Sequence, residues 1–339
     1  MKNLLAIAVA AMAMNAAALP LQREIDAAAA RGGGEVVVPP GEHLTGGLRL
    51  KSNVSLVIAK GARLVGSADP ADYPRDRRGA LIFAENVTNI AVRGEGVVDG
   101  SGASFPVQND SATRPRLLHF IRCRDVAVEG VTLQNSPSWT CFLQECERVR
   151  VKRVRIDAHA NFNNDGLDIE SKDVLVEDCD IDSDDDAICV KSHNPGFVVE
   201  RVRVRNCRVA SNCNFLKLGT RGHGGFRDIE MRDCVLKPCR VDNMRQWSKW
   251  LPRIPGVTDA VTGLAGIAVE MVDGGVLENV SFRNIDMTAG GVQTPVFIRL
   301  GSRTSHPSGA TSRLSNVLVE NVKGRSASYI LCQLAQRSA

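Results

Sequence analysis

The chain has 339 residues, 44% of them hydrophobic and 24% charged, with 30 glycines and only 4% aromatics. This is the composition of a folded soluble protein, and its recurring Val, Ile, Leu and Gly favour many short strands over a helical bundle. The formal net charge of +4 is too small to imply nucleic acid, and it is compatible with an anionic substrate.

Residues 1–18 read as an export signal. Lys2 supplies a positive start, Leu4 to about Met14 a short apolar run, and Ala16-Ala17-Ala18 a small-residue cleavage site. The run is too short to span a bilayer, and no later segment approaches the roughly 20 apolar residues a span needs. The mature chain, 19–339, is therefore expected to be secreted or periplasmic.

A helix is predicted over about 20–31, LQREIDAAAARGG, with apolar spacing at Leu21, Ile25 and Ala28 or Ala29 and a glycine stop. It would cover the open end of a stack of repeated coils. A phrase of a charged residue or Asn, V/I-x-V, two polar residues and an apolar pair recurs as TNIAVRGEGVV (88–98), RDVAVEGVTL (124–133), ERVRVKRVRI (147–156), KDVLVEDCDI (172–181), ERVRVRNCRV (200–209), RDIEMRDCVL (227–236), ENVSFRNIDM (278–287) and SNVLVENV (315–322). Val126, Val149, Val174, Val202 and Ile229 are 23, 25, 28 and 27 residues apart, and Val280 comes after a further 51. The last interval is two turns, or one turn with an insertion.

A period near 25 with short alternating strands predicts an all-β, right-handed parallel β-helix, each coil stacked on the one before. The Val and Ile of each phrase point inward, and Arg201, Arg203 and Arg205 form a solvated outer face. Helical repeats would show 3.6-residue periodicity, which is missing. The stretch 237–263, with Trp247, Trp250 and three prolines, reads as a loop insertion over one face. The chain ends soon after a repeat begins, which suggests missing final coils.

Ten cysteines would permit disulfides after export, but no pair has zinc spacing. Cys179, Cys207 and Cys234 share one place in the repeat and read as packing residues. Cys141/Cys146 and Cys234/Cys239 are candidate local bridges.

The densest chemistry is NFNNDGLDIE (161–170) and, one coil later, DIDSDDDAICVK (180–191). Asp165 precedes a strand predicted from Leu167 by two residues, and Asp185 precedes one predicted from Ala187 by two. Twenty residues apart, the two should emerge on one face. Clustered acids repel, so one keeps its proton while another stays ionised, as glycoside hydrolysis requires. Asp180, Asp182 and Asp184 could instead be turn residues. An EF-hand is excluded because Asp185 stands where its glycine belongs and Lys191 where its final Glu belongs.

At these residues the sequence resembles glycoside hydrolase family 28, the polygalacturonase family. NNDGLDIE is similar to that family's N-T-D-G-x-D phrase and DDDAICVKS to its G-D-D-C-I-A-I-K-S phrase. GGGEVVVPPGEHLTGGLRLKSNVSL (32–56) is similar to its capping coil, and NSPSWT (135–140), which contains Trp139, to a segment flanking the cleft. The wording KLGT, AVEMVDGG and FIRLG looks like a divergent bacterial branch. The resemblance implies Asp185 as general acid, with Asp165 and Asp186 positioning and deprotonating water in an inverting hydrolysis of a pectin-type polysaccharide or oligosaccharide. It implies no metal or organic cofactor and, for partners, only the glycan and a monomeric chain. It gives Asn163 and Lys191 substrate-binding or supporting roles.

Two departures stand out. Asn214 occupies the place of the family's G-H-G histidine, while Gly222-His223-Gly224 falls in the next turn, from which His223 could reach the cleft. Ala268 and Glu270 take the places of the two cations of R-I-K, which grips a galacturonate carboxylate. Arg221, Lys217 or Arg299 would have to replace that grip. The two rival functions are a polysaccharide lyase of the same fold, using a basic Arg or Lys and usually calcium, and a non-catalytic carbohydrate-binding β-helix.

Overall fold

The computed structural model describes residues 20–73, 79–106, 113–161, 163–241, 263–301, 311–324 and 331–334. The predicted export signal, and most of the predicted insertion 237–263, lie outside them.

The helix forms over Leu21–Ala30 and buries Leu21, Ile25 and Ala28 against the first coil. Gln22 joins it to the strands: its side-chain amide accepts from Arg49 N at 2.8 Å and donates to Arg49 O at 3.2 Å. The backbone groups at that coil's open edge therefore keep partners.

Beyond the helix the strands pair in parallel, coil upon coil. The repeated β-branched residue stacks in one column: Ile90, Val126, Val149, Val174, Val202, Ile229, Val280 and Val317 are register partners in that order. This is a parallel β-helix, for which a right-handed path is the rule in parallel crossovers. Ile229 pairs directly with Val280, so the 51-residue interval is one turn carrying an insertion.

The structure also explains the other letters of the repeat. The residue before each V-x-V has left-handed backbone: Asn53, Asn89, Asp125, Arg148, Asp173, Arg201, Asp228, Asn279 and Asn316 have φ between 51° and 63°; all but two are Asn or Asp. Asn and Asp tolerate that conformation better than other side-chain-bearing residues. A second left-handed column holds Gly130, Arg153, Asp178, Asn206, Asp233, Asn284 and Asn321, and in both columns Asn side chains bond from coil to coil, as Asn316 Nδ2 does to Asn279 Oδ1 at 2.8 Å and Asn321 Nδ2 to Asn284 Oδ1 at 2.7 Å. The residue after this second column turns inward and is buried: Val131, Val154, Cys179, Cys207, Cys234 and Ile285.

Those cysteines thus stand where Val and Ile stand in other coils. All nine described cysteines are free thiols, so the expected Cys141/Cys146 and Cys234/Cys239 bridges do not form. The outer face is ion-paired, with Arg201 Nε on Asp173 at 2.6 Å and Arg205 on Glu177 at 2.7 Å. Among the described residues no helix is long and apolar enough to cross a membrane.

Candidate active site

One sheet of the solenoid carries the site. Its successive coils contribute the strands Arg116–Ile121, Cys141–Lys152, Leu167–Glu177, Ile188–Ser192, Asn214–Gly222 and Gly263–Met271. Leu118, Cys141, Leu167, Ile188, Leu216 and Ile267 are in register and buried. Counting from that core column fixes the neighbouring columns on the outer side of this sheet. Two residues before it come Arg116, Trp139, Asp165, Asp186 and Asn214; one residue after it come His119, Phe142, Asp168, Cys189, Lys217 and Ala268.

Asp165 is therefore aligned with Asp186, not with Asp185 as the 20-residue spacing suggests. The strand begins at Ile188, one residue later than predicted, because the sequence between the two coils is longer by one residue. Asp180 and Asp182 also differ from expectation, lying in the strand Asp180–Ser183 and not in a turn. Asp180 pairs with Lys237 at 2.7 Å. Asp182 accepts from the Arg240 backbone N at 3.2 Å and meets His159 Nε2 at 2.8 Å.

The turn that presents Asp165 is held from beneath by Asn164, whose Nδ2 donates to Ser136 O at 2.7 Å and Ser138 O at 2.9 Å. Asp185 is fixed by its own carbonyl, which accepts from Ser183 Oγ at 2.7 Å and Ser211 Oγ at 2.8 Å.

These elements frame an open cleft of about 600 Å³ lined by Arg116, Trp139, Phe142, Gln144, Asn163, Asp165, Asp185, Asp186, Lys191, His193, Cys213, Lys217, Gly219, Thr220 and Arg221. Eight of the eleven residues singled out from the sequence line it, and Asn214 touches it through Asp186. The other two do not. His223 is in the turn beyond the strand, its backbone N bonded to Ser192 O at 2.9 Å. Arg299 is two coils past Gly219, in register with Glu270.

Sequence reasoning does not reach Arg116, Phe142, Gln144, His193 or Cys213. They are visible only once coil register is known, since Arg116 is 49 residues before Asp165 in the chain. It also misses Asp168, although this is the second Asp of the N-N-D-G-L-D phrase.

The electrostatics separate the carboxyls. Asp186 is buried, which works to raise its pKa. Lys217 Nζ lies 2.8 Å from its Oδ2, Lys191 is nearby, and Asn214 Nδ2 donates to its Oδ1 at 2.8 Å. The cations and hydrogen bonds win, and the carboxyl stays below the ordinary range. Among the described residues Asp185 has no such cation in contact. Burial first, then the charges of Asp165 and Asp186, push it up to about 8. Its Oδ2 accepts only a long 3.3 Å bond from Asn163 Nδ2, and its Oδ1 accepts from Asp186 N at 2.8 Å.

Lys191 is shared, 2.7 Å from Asp165 and 2.5 Å from Asp168, with its ammonium 3.8 Å from the Trp139 ring centroid. Burial drives both of these carboxyls up against the pull of one ammonium. Burial lowers Lys191 and Lys217, but their carboxylate neighbours raise both well above the usual value. Both lysines are therefore fixed cations. The cleft can accordingly hold a protonated Asp185 beside an ionised Asp186, which is the equipment of general acid–base chemistry.

Among the described residues two groups have metal-ligand spacing, Asp185/Asp186/Cys213 and His159/Asp182/Cys239, each with donor atoms within 4.8 Å of one another. In the first, both Asp186 oxygens are already engaged by Lys217 and Asn214. In the second, the Arg240 guanidinium is 3.2 Å from Asp182. Neither suits a cation as it stands.

A parallel β-helix with an acid-lined cleft across its coils defines a class of carbohydrate-active proteins, and comparison places the chain within it. Residues 30–222 match the model of "Glycosyl hydrolases family 28", and the chain belongs to that family. The "Probable polygalacturonase" of Vitis vinifera is 29% identical over 241 residues, 62% of this chain and 49% of that protein. The "Probable rhamnogalacturonase A" of Aspergillus oryzae is 30% identical over 125 residues, 37% of this chain and 26% of that one. The chain spans about half the length, or less, of these curated relatives. The crystal structure of a hyperthermoactive exopolygalacturonase from Thermotoga maritima superposes with a TM-score of 0.69 at 25% identity, covering 90% of this chain and 76% of that one.

Proposed function

We propose that this protein is an exported, monomeric glycoside hydrolase that cleaves a glycosidic bond in a pectin-type polysaccharide or oligosaccharide. The observation that carries the proposal is the opposed proton affinity of two adjacent aspartates. Asp185, with its pKa near 8, keeps a proton at neutral pH to give to the leaving oxygen. Asp186, held ionised by Lys217 and Asn214, takes one from water. Asp165 orients that water, and Lys191 holds Asp165 and Asp168 in place. The family match and the polygalacturonase and rhamnogalacturonase names of similar proteins support a pectic substrate. The predicted export signal supports secretion.

The lyase alternative needs a neutral Lys or a comparable base to abstract a proton. Lys191 and Lys217 are both locked as cations by buried carboxylates, which disfavours it.

Stereochemistry has two readings. We favour inversion, with water between Asp165 and Asp186. Adjacent Asp185 and Asp186, each with an oxygen within 4.8 Å of the other's, are also close enough for the acid and nucleophile roles of a retaining pair. Retention would make Asp186 the nucleophile. A screen of galacturonides, rhamnosides and pectic fragments for reducing-end release, with proton NMR of the first-formed anomer, tests both points. Inversion predicts the anomer opposite to the substrate's. No release from any glycan would refute the hydrolase proposal.

A further inference from the structure

Beside its carboxyls the cleft carries an imidazole. Among the described histidines only His193 lines it, just past the end of the strand Ile188–Ser192. Its ring packs 6.3 Å from the Trp139 ring and 6.1 Å from the Phe142 ring, centroid to centroid. The Lys191 ammonium is 3.8 Å from the same Trp139 centroid and 2.7 Å from Asp165. One aromatic side chain therefore neighbours both the imidazole and the acid cluster.

Glu170, fully buried, fixes the ring from behind. Its Oε1 accepts from the backbone N of His193 at 2.7 Å and of Asn194 at 3.2 Å, and its Oε2 meets His193 Nδ1 at 2.9 Å. A carboxylate only accepts, so in the neutral imidazole Nδ1 carries the proton and Nε2 keeps a bare lone pair. Capping two backbone N–H groups needs one oxygen and no charge. The second oxygen is used on the imidazole, at a desolvation cost that a neutral cap would not incur. The His193 side chain remains 34% exposed, and among the described residues its Nε2 has no hydrogen-bond partner. The ring is thus held with an acceptor turned away from Glu170, on its exposed side.

We propose that His193 is a substrate-contacting residue whose Nε2 accepts a hydrogen bond from a sugar hydroxyl, in a subsite beside Trp139 and Phe142, and that Glu170 is the positioning residue that sets its tautomer. A lone pair at that point favours a hydroxyl over a carboxylate, which brings no proton. The proposal rests on the hydrolase reading for its ligand, a pectic oligosaccharide, and needs only binding.

The probes are oligogalacturonides and rhamnogalacturonan oligomers, added to the Asp185→Asn protein so that nothing is cut. The chain has six histidines, and the imidazole ¹⁵N resonances of His193 are those lost in His193→Ala. At a pH where those resonances show a neutral ring, His193 should be the Nδ1–H tautomer. At least one oligomer should then move its Nε2 resonance toward the protonated value. Calorimetry should show His193→Ala weakening that oligomer about two- to tenfold, the loss of one neutral hydrogen bond. In Glu170→Gln, the two backbone N–H groups hold the amide oxygen where Oε1 was, and the amide NH₂ faces Nδ1. The tautomer should invert, and the ligand-induced shift at Nε2 should reverse direction. An Nε2–H tautomer in the parent protein, an Nε2 resonance that no oligomer moves, or unchanged affinity in His193→Ala would overturn the proposal. The first two readings need no change at Glu170, so they decide even where the Glu170→Gln protein does not fold. A responsive His193 with no hydrolysis of any glycan by the wild type would leave the subsite standing and refute the hydrolase reading. Hydrolysis with an unresponsive His193 would do the reverse.

Discussion

Replacing Asp185 with Asn should make the protein more stable while removing its proposed acid. The Asp185 carboxyl titrates near 8 in the folded protein because it is buried among Asp165 and Asp186, against about 3.9 in an unfolded chain. A folded-state pKa above the unfolded value means the native state binds the extra proton between those limits. Stability then falls as pH rises from about 4 to 8, by at most ~1.4 kcal/mol per pH unit for one group. Neighbouring carboxyls share that titration, so the loss at neutral pH is on the order of 1–4 kcal/mol. An amide does not ionise and keeps an oxygen to accept the Asp186 N–H now bonded at 2.8 Å. Near pH 3, where the carboxyl is largely protonated in both states, variant and wild type should melt together. By pH 7.5 the variant should melt several degrees higher, with the gap widening steadily between. Thermal melts by circular dichroism at half-unit pH steps would measure it. A variant that melts below wild type at every pH, or a gap indifferent to pH, would refute the proton assignment.

Lys217→Met removes a charge-assisted bond worth ~1.5–3 kcal/mol, or about one to two pH units. The Asp186 pKa, now depressed, should rise by that much. The acid limb of the rate profile should move to higher pH, and the stability Asp186 contributes above its folded pKa should be lost. Because buried Asp186 would be left without its contacting cation, a further destabilisation of ~3–5 kcal/mol is expected in chemical denaturation. Asn164→Ala leaves the Ser136 and Ser138 carbonyls without a donor and should cost ~1–3 kcal/mol, and it should lower kcat by releasing the turn that presents Asp165. Since the described cysteines are free thiols, dithiothreitol should leave the melting temperature unchanged. In thiol labelling of the native protein, half-buried Cys239 should react before the eight buried cysteines.

Most of the fold is legible in the sequence because a solenoid writes its register as a period. The V-x-V phrases locate the inward column, and the helix ends within a residue of its predicted place. Periodicity does not explain why Asn and Asp precede the strands: their left-handed backbone is a property of the turn, shown by Asn279 and Asn316 alike. The expected cysteine bridges fail for a related reason. Nearby cysteines suggest pairing, but the column they occupy is an apolar one, and Cys234 has Ile285 as its register neighbour. The acids of the site are legible as a dense cluster, yet a single extra residue aligns Asp165 with Asp186. Arg116 and His193 cannot be found from sequence, since their neighbours at the cleft are a coil or more away. His223, a candidate through a motif match, is a turn residue beyond the cleft.

The most direct test of the catalytic pair is the initial rate of reducing-end formation from pectic fragments at neutral pH, wild type against Asp185→Asn, with folding verified in both. Loss of a positioned general acid predicts a fall of about 10²–10⁴-fold in a variant that is at least as stable. An Asp185→Asn protein that hydrolyses the same fragments at the wild-type rate would contradict the account.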